Sequence, residues 1–378
     1  MNIIKNYFTV FLGSAATLLS GCHSIGPNSI KEAQPRYNYA LAETANEQML
    51  LNLIRLKYRD TPYFLEVSGI TESRTLKASI GLGKTQWNVN AHHSGPTAVM
   101  AFPLLGTEEN VSPTITYSPL HGEKFVKNLV TPIPLGTVLT MAQAGWTIDR
   151  VFDLCVEKIN NLDNASTASG PTPKIKPHYE DFFRATELLT TLDSDGNIVI
   201  GIAEGRQLGL GVSRSGEPVL RFLPKSKNSK ERSELNKLLG LSADLDEFSL
   251  RNNLIDNSEN ILSLRTRSIM EVLFYLSHAI EVPTKDVDAG LVTSTSDENG
   301  NIFDWTSNMS GRWLNIHHSA EEPTTAFVSI KYRGFWFYIS DSDLNSKSTF
   351  MLLNYLFNLQ SGNSGGGITP ALMLPIGG

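Results

Sequence analysis

The chain has 378 residues, 41% hydrophobic and 19% charged, enough apolar content to bury one or two cores without covalent staples. Its formal net charge of -6 argues against nucleic acid or an anionic lipid surface as its main partner. With only Cys22 and Cys155, a disulfide-dense scaffold is excluded.

The first element is an export signal over residues 1–21. Lys5 is its only charge, an apolar run follows from Tyr7 to Leu19, and small residues close it. The run falls short of the ~20 apolar residues that a spanning helix needs. Its end, Leu19-Ser20-Gly21-Cys22, resembles the bacterial lipobox, which implies cleavage between Gly21 and Cys22 and acylation (palmitate and related chains) of Cys22. Two or more acyl chains anchor a protein stably, at ~0.8 kcal/mol per buried methylene. Loss of Lys5 with the signal takes the formal charge from -6 to -7, the termini aside. His23 stands where, in lipoproteins of this type, an Asp retains the protein at the inner membrane, so the expected address is the outer membrane. If Cys22 carries lipid, Cys155 has no partner. It lies in GWTIDRVFDLCVEKI, where Ile148, Val151, Leu154, Cys155 and Ile159 fit one helical face, and it is read as a small buried hydrophobe.

Residues 22–35 read as a tether broken at Gly26-Pro27. A helix is predicted from Tyr37 to Tyr58, buried on most sides towards its end by Met49, Leu50, Leu53, Ile54 and Leu56. Asp60-Thr61-Pro62 stops it, and YFLEVSGI reads as a strand. An extended segment follows over residues 74–89, and residues 90–120, with Pro96, Pro103, Pro113 and Pro119, read as loop. Two short helices broken at Pro132 and Pro134 lead into the Cys155 helix. The tract NLDNASTASGPTPKIKP (161–177) is small, polar and proline-bearing, and is taken as a linker between an N-terminal α+β subdomain (36–160) and a C-terminal one (178–360).

Beyond it, HYEDFFRATELLTTL reads as a helix and NIVIGIAE as a strand, with a hairpin around Ser215-Gly216-Glu217. The charged stretch ending in LNKLLGL and the apolar RTRSIMEVLFYLSHAIEVP (265–283) read as helices. TAFVSIKY and GFWFYIS read as strands, and a helix follows from Asp343 to Leu359. Residues 361–378 form a glycine-rich hinge and the apolar tail ITPALMLPI, which either closes a sheet edge or pairs with another chain. Helices and strands mix without a βαβ rhythm, so the fold class is α+β, with antiparallel or mixed sheet and two subdomains.

Motifs that would carry chemistry are incomplete. Ala78–Thr85 fits a loose phosphate-loop pattern, but the sequence after it is a poor helix, and it reads as a strand turn. Asp193-Ser-Asp195-Gly-Asn197 with Glu204 imitates a calcium loop yet has Ile198 where glycine must turn; Asp341-Ser-Asp343-Leu-Asn345 has Leu352 in place of the bidentate Glu. Both read as turns or helix caps. The adjacent pairs His92-His93 and His317-His318 point apart on a strand, so neither is a metal site alone; a composite site with Glu321 or Glu322 is the alternative to their reading as surface or edge residues. No G-x-S-x-G elbow, S-x-x-K pair or H-E-x-x-H motif occurs. No metal or cofactor is expected, nor any catalytic residue assigned. In YRGFWFYISDSD, Tyr332, Trp336 and Tyr338 are candidates for an interaction surface, against the alternative that strand alternation buries the aromatics on two covered faces.

The segments RYNYALAETANEQMLLNLIRLKYRDTPYFLEVSGI, PTITYSPLHGEKFVKNLVTPIP, RTRSIMEVLFYLSHAIEVP and AFVSIKYRGFWFYISDSDLNSKSTFMLLNYLFNL are similar to a family of uncharacterised outer-membrane lipoproteins of Gram-negative bacteria. The resemblance implies a location and a shared fold, and carries over no functional site. The expectation is a lipid-anchored outer-membrane protein facing the periplasm, a non-enzymatic accessory or structural part of an envelope assembly. Its partners would be the bilayer, through the lipid, and other envelope proteins. The alternative is an enzyme or binder acting on peptidoglycan or exported polysaccharide.

Overall fold

A computed structural model describes residues 27–88, 97–202, 216, 218–252 and 259–361. The signal, Gly21, Cys22, the tether up to residue 26, His92-His93, Glu204, Ser215, Glu217 and the tail from residue 362 lie outside the described residues. The fold is α+β, with a six-stranded mixed sheet, a three-stranded antiparallel sheet and a two-stranded antiparallel ribbon. It divides into a body, up to Pro62 and again from Glu123, and a separate unit at Tyr63–Gly122 that contains the ribbon.

Helix α1 (Pro27–Lys57) begins ten residues before the predicted Tyr37, so residues 27–35 of the expected tether are helical. Pro27 opens it, where a missing N–H is harmless, and Pro35 lies within its exposed first half. Its last turns bury Leu50, Leu53 and Ile54 completely. Helices α2 (Glu123–Val130), α3 (Leu135–Gln143) and α4 (Ile148–Cys155) follow, the first two parted at Pro132 and Pro134 as predicted.

Chain then passes from α4 straight into β3 (Val156–Ile159), so Ile159 is a strand residue and not part of the helical face. The six-stranded sheet runs β4 (Leu162–Asp163), β3, β8 (Ile261–Thr266), β7 (Glu247–Arg251), β6 (Pro218–Phe222), β5 (Ile198–Ile202), antiparallel throughout except for β7 beside β8. Helix α5 (Glu180–Ser194) packs between α4 and α6 (Lys230–Leu239). Ser229 caps α6 by accepting from the Arg232 amide, and Gly240 ends it at φ +66°, where glycine is unstrained. Helix α7 (Ile269–Ser277) is shorter than predicted because Arg265 and Thr266 belong to β8; a reciprocal Ser268–Glu271 capping box sets its start. The short α8 (Thr284–Asp288) follows Pro283.

The tract at 161–177 is not a linker. Asn164, Ala165 and Ala168 are fully buried, and Asn164 donates to the carbonyls of Asp153 and Val156 at 2.8 and 2.7 Å. Its small residues permit a close crossing through the body, which therefore does not split into 36–160 and 178–360.

The three-stranded sheet runs β10 (Ala326–Tyr332), β11 (Phe335–Ser340), β9 (His317–Ser319), and α9 (Leu344–Ser361) follows it. Arg333 (φ +48°) and Gly334 (φ +88°) join β10 to β11 with the two positive φ angles of a type I′ turn.

The largest departure from the sequence reading is the ribbon. Strands β1 (Phe64–Asn88) and β2 (Thr97–Leu120) pair antiparallel from Phe64↔Leu120 to Asn88↔Thr97. The supposed loop after residue 96 is strand throughout, and the phosphate-loop match lies mid-strand with no turn. In a two-stranded ribbon each strand has a free outer side, so Pro103 and Pro113, an even number of positions apart, can share the outward-facing phase without breaking the ladder.

Candidate interaction surface

Phe335, Phe337 and Ile339 alternate with Trp336 and Tyr338 along β11, so the two sets point to opposite faces. Phe337 and Ile339 are buried, and the Tyr58 ring stands edge-on to Phe337 at 6.4 Å. Trp336 and Tyr338 are half-buried on the other face, where Lys331 reaches over Trp336 at 6.0 Å and His317 lies 5.6 Å from Tyr338. Tyr332 pairs with Phe335 and so belongs to the Phe337 face. Its hydroxyl donates to Asp60, which also accepts from Arg333 at 2.8 Å. Those two bonds, Arg333 first, hold the Asp60 carboxyl below its usual range. The three aromatic candidates are thus divided, Trp336 with Tyr338 on one face and Tyr332 on the other.

The two histidines of β9 likewise part. His317 bonds Glu281 at 2.9 Å, which raises its pKa, while His318 turns to Phe335 and Phe337. Among the described residues no group of three His, Cys, Asp or Glu side chains could hold a metal ion. Asp343 caps α9 by accepting from the Ser346 amide and hydroxyl, as the cap reading required, and Asp341 pairs with Lys347 at 2.6 Å. Asp193–Asn197 forms the turn that ends α5.

Titratable groups that sequence reading passed over lie deep in the body. Asp153 on α4 accepts from the Thr186 hydroxyl at 2.8 Å and the Trp313 indole N–H at 3.0 Å, and burial raises its carboxyl to about 7. Arg267 donates to the Asp153 and Leu154 carbonyls at 2.8 and 3.1 Å, to the Asn164 carbonyl, and to Ser169. It therefore places a cation on the C-terminal carbonyls of α4, where the helix dipole favours one. His278 points Nε2 at the Ala168 carbonyl (2.8 Å), which can only accept, so that nitrogen carries the proton. Burial lowers its pKa to about 3 and that of Lys57, bonded to the His278 carbonyl at 2.8 Å, to about 8. Cys155 is buried and unpaired, its thiol pushed up to about 12 by burial. Arg267, His278 and Asp153 are at most 1% exposed, so no substrate reaches them. For two of them the sequence signal was available, Asp153 and His278 standing in the largely apolar VFDLCV and YLSHAI, whereas Arg267, between Thr266 and Ser268, carried none.

One cleft tests for carbohydrate chemistry. It encloses about 340 Å³ beside Asp163, His178, Tyr179, Glu180 and Asp181. Both Asp163 carboxylate oxygens accept from Ser166. Burial, the largest single influence, pushes Glu180 up, but its hydrogen bonds to Lys176 and to the backbone at Tyr179 and Glu180, with the Lys176 charge, together outweigh this and the carboxyl sits low. A glycosidic general acid needs the opposite shift.

The open apolar feature is a groove of about 590 Å³ between α1 and α9, lined by Ala42, Phe327, Leu344, Phe350 and Met351. Leu344 is 70% and Met351 45% exposed. It adjoins a second hollow of about 450 Å³ that shares Ala42 and Phe327 and carries Glu43, Glu47 and Asp341 on its rim. An apolar floor with an acidic rim is the make-up of a protein contact.

Comparisons with protein-family profiles, with curated proteins and with solved structures find no match to this chain. No helix among the described residues is long and apolar enough to cross a membrane.

Proposed function

We propose that the chain is a lipoprotein anchored to the periplasmic side of the outer membrane through Cys22, and that it serves as a non-enzymatic structural or accessory part of an envelope assembly. The observation that carries this reading is the contrast in the body: Asp153, Arg267 and His278 are sealed, whereas the apolar groove between α1 and α9 is open. A catalytic site requires the reverse. The lipobox-like Leu19–Cys22 supports the address. The alternative, hydrolysis of an envelope polymer, would need a carboxyl held high as general acid, a role that the low Glu180 carboxyl in the acidic cleft does not fill.

Two measurements test the reading. Alkyne-labelled palmitate should enter the wild-type chain, which sediments with the outer membrane, and should not enter Cys22→Ser; absence of lipid defeats the anchor, and an inner-membrane location defeats the address. A photo-crosslinker at position 351 in intact cells should capture an envelope protein, and recovery of glycan alone would count against the assembly role.

A further inference from the structure

The hollow of about 450 Å³ that adjoins the apolar groove has a helix for one wall and a sheet edge for the other. Tyr39, Ala42, Glu43, Asn46 and Glu47 recur at the spacing of one face of α1, and Ala326–Ser329 of β10 line the same hollow. In the order β10, β11, β9 the outer side of β10 is an edge, and among the described residues no other strand pairs with it. The two-residue turn at Arg333-Gly334 makes Tyr332 and Phe335 a hydrogen-bonded pair, so the Ile330 and Tyr332 amides point to β11 and the Ser329 and Lys331 amides point outward. Among the described residues neither outward amide nor its carbonyl takes a backbone partner. Charge in the slot is also unbalanced. Glu43 and Glu47 stand one turn apart, where like charges repel, and among the described residues no cation pairs with either. Burial and then Glu43 raise the Glu47 carboxyl, whereas Asp341 on the same rim is matched by Lys347 at 2.6 Å.

We propose that this slot takes an extended segment of an envelope partner, added as a further strand on β10 with a Lys or Arg side chain beside Glu43 and Glu47. The inference rests on the assembly role proposed above and names the chemistry of the partner segment. Main-chain bonds to Ser329 and Lys331 fix its register, and alternate side chains give it specificity. In the phase that faces α1, a cation relieves the repulsion between the two carboxylates, which an acidic or wholly apolar strand leaves in place. Apolar residues of the same segment continue past Phe327 into the groove, which shares Ala42, Asn46 and Phe327 with the slot and offers the exposed Leu344 and Met351. A strand between a sheet edge and a helix face thus meets both its needs at once, donors and acceptors on one side and a charged, partly apolar wall on the other.

The test uses the full chain in mild detergent and short synthetic peptides of alternating lysine and valine, or of alternating glutamate and valine. The lysine peptide should bind about tenfold or more tightly than the glutamate one and should slow hydrogen exchange at the Ser329 and Lys331 amides. N-methylation of its lysine amides in one version and of its valine amides in another should weaken binding in one version only, because only one set of amides faces β10. Glu43→Gln with Glu47→Gln should weaken the lysine peptide about tenfold while the unfolding temperature does not fall. Equal affinity of the two peptides, no binding, binding without protection of the Ser329 and Lys331 amides, equal effects of the two methylations, or full affinity in the double variant would overturn the strand addition. Capture of an envelope protein at position 351 without that protection fails this inference alone; protection by the peptide with glycan alone captured at position 351 fails the assembly role and leaves the strand site standing.

Discussion

The Arg267 guanidinium lies 4.2 Å over the Tyr275 ring, and both residues are fully buried. A buried cation is tolerated here because an aromatic face meets it on one side and backbone carbonyls take its N–H groups in plane. The contact joins α7 to the C-terminus of α4 and to the buried crossing at Asn164.

Removing that cation leaves several carbonyls without a donor in a dry interior. Arg267→Ala should lower unfolding free energy by about 3 kcal/mol or more in urea titration. Arg267→Lys should recover little, since one ammonium cannot span the Asp153, Leu154 and Asn164 carbonyls as a planar fork does. Full stability in Arg267→Lys would show that charge alone matters.

Asp153 and His278 should oppose each other in the pH dependence of stability. The Asp153 carboxyl titrates at about 7 when folded and at ~3.9 when unfolded, so the folded state holds the proton longer and stability falls as pH rises between those values. The full effect is on the order of 4 kcal/mol. Above about pH 6.5, where the His278 contribution has levelled off, unfolding temperatures should fall less with rising pH in Asp153→Asn, which removes that slope.

His278 has the other sign. It stays neutral in the fold down to about 3, while the unfolded chain takes a proton near 6.5, so stability is lost as pH falls below that point. In the wild type the two slopes offset between pH 4 and 6.5. Asp153→Asn should expose the acid loss, and His278→Gln should expose the alkaline loss; parallel pH profiles for the two variants would refute both assignments.

Gly311 is fixed by space. A Cβ there would lie 2.2 Å from the carbonyl oxygens of both Trp305 and Thr306, so Gly311→Ala should cost about 3 kcal/mol through forced backbone movement. Gly136, in the first turn of α3 with nothing within 4 Å of its Cβ position, is the control: Gly136→Ala should be neutral or stabilise by up to ~1 kcal/mol in thermal unfolding.

Legibility in the sequence followed how local each cause was. The buried end of α1, the breaks at Pro132 and Pro134, and strands β10 and β11 depend on nearby periodicity and could be read directly. Strand β2 could not, because prolines signal a loop unless the strand has a free outer side, and that depends on a partner strand, 21 residues back at Pro103 and 41 at Pro113. Small polar residues at 161–177 mark a linker and a tight buried crossing equally well; the donors of Asn164 decide between them, and they act on groups eight and eleven residues back. Trp336, Tyr338 and Tyr332 were recognisable as an aromatic cluster, but only the turn at Arg333-Gly334 determines which of them share a face.

Helix α1 has a mechanical consequence. Its residues 33–45 are largely exposed and its last turns are locked into the body by Leu50, Leu53 and Ile54. Cys22 stands five positions before Pro27. At ~1.5 Å per residue the first half, up to Ala45, is a strut of nearly 30 Å. Force applied at the start of this helix would enter the hydrophobic core along one continuous element, with the missing donor at Pro35 as its yield point, so the helix would act as a lever on the body.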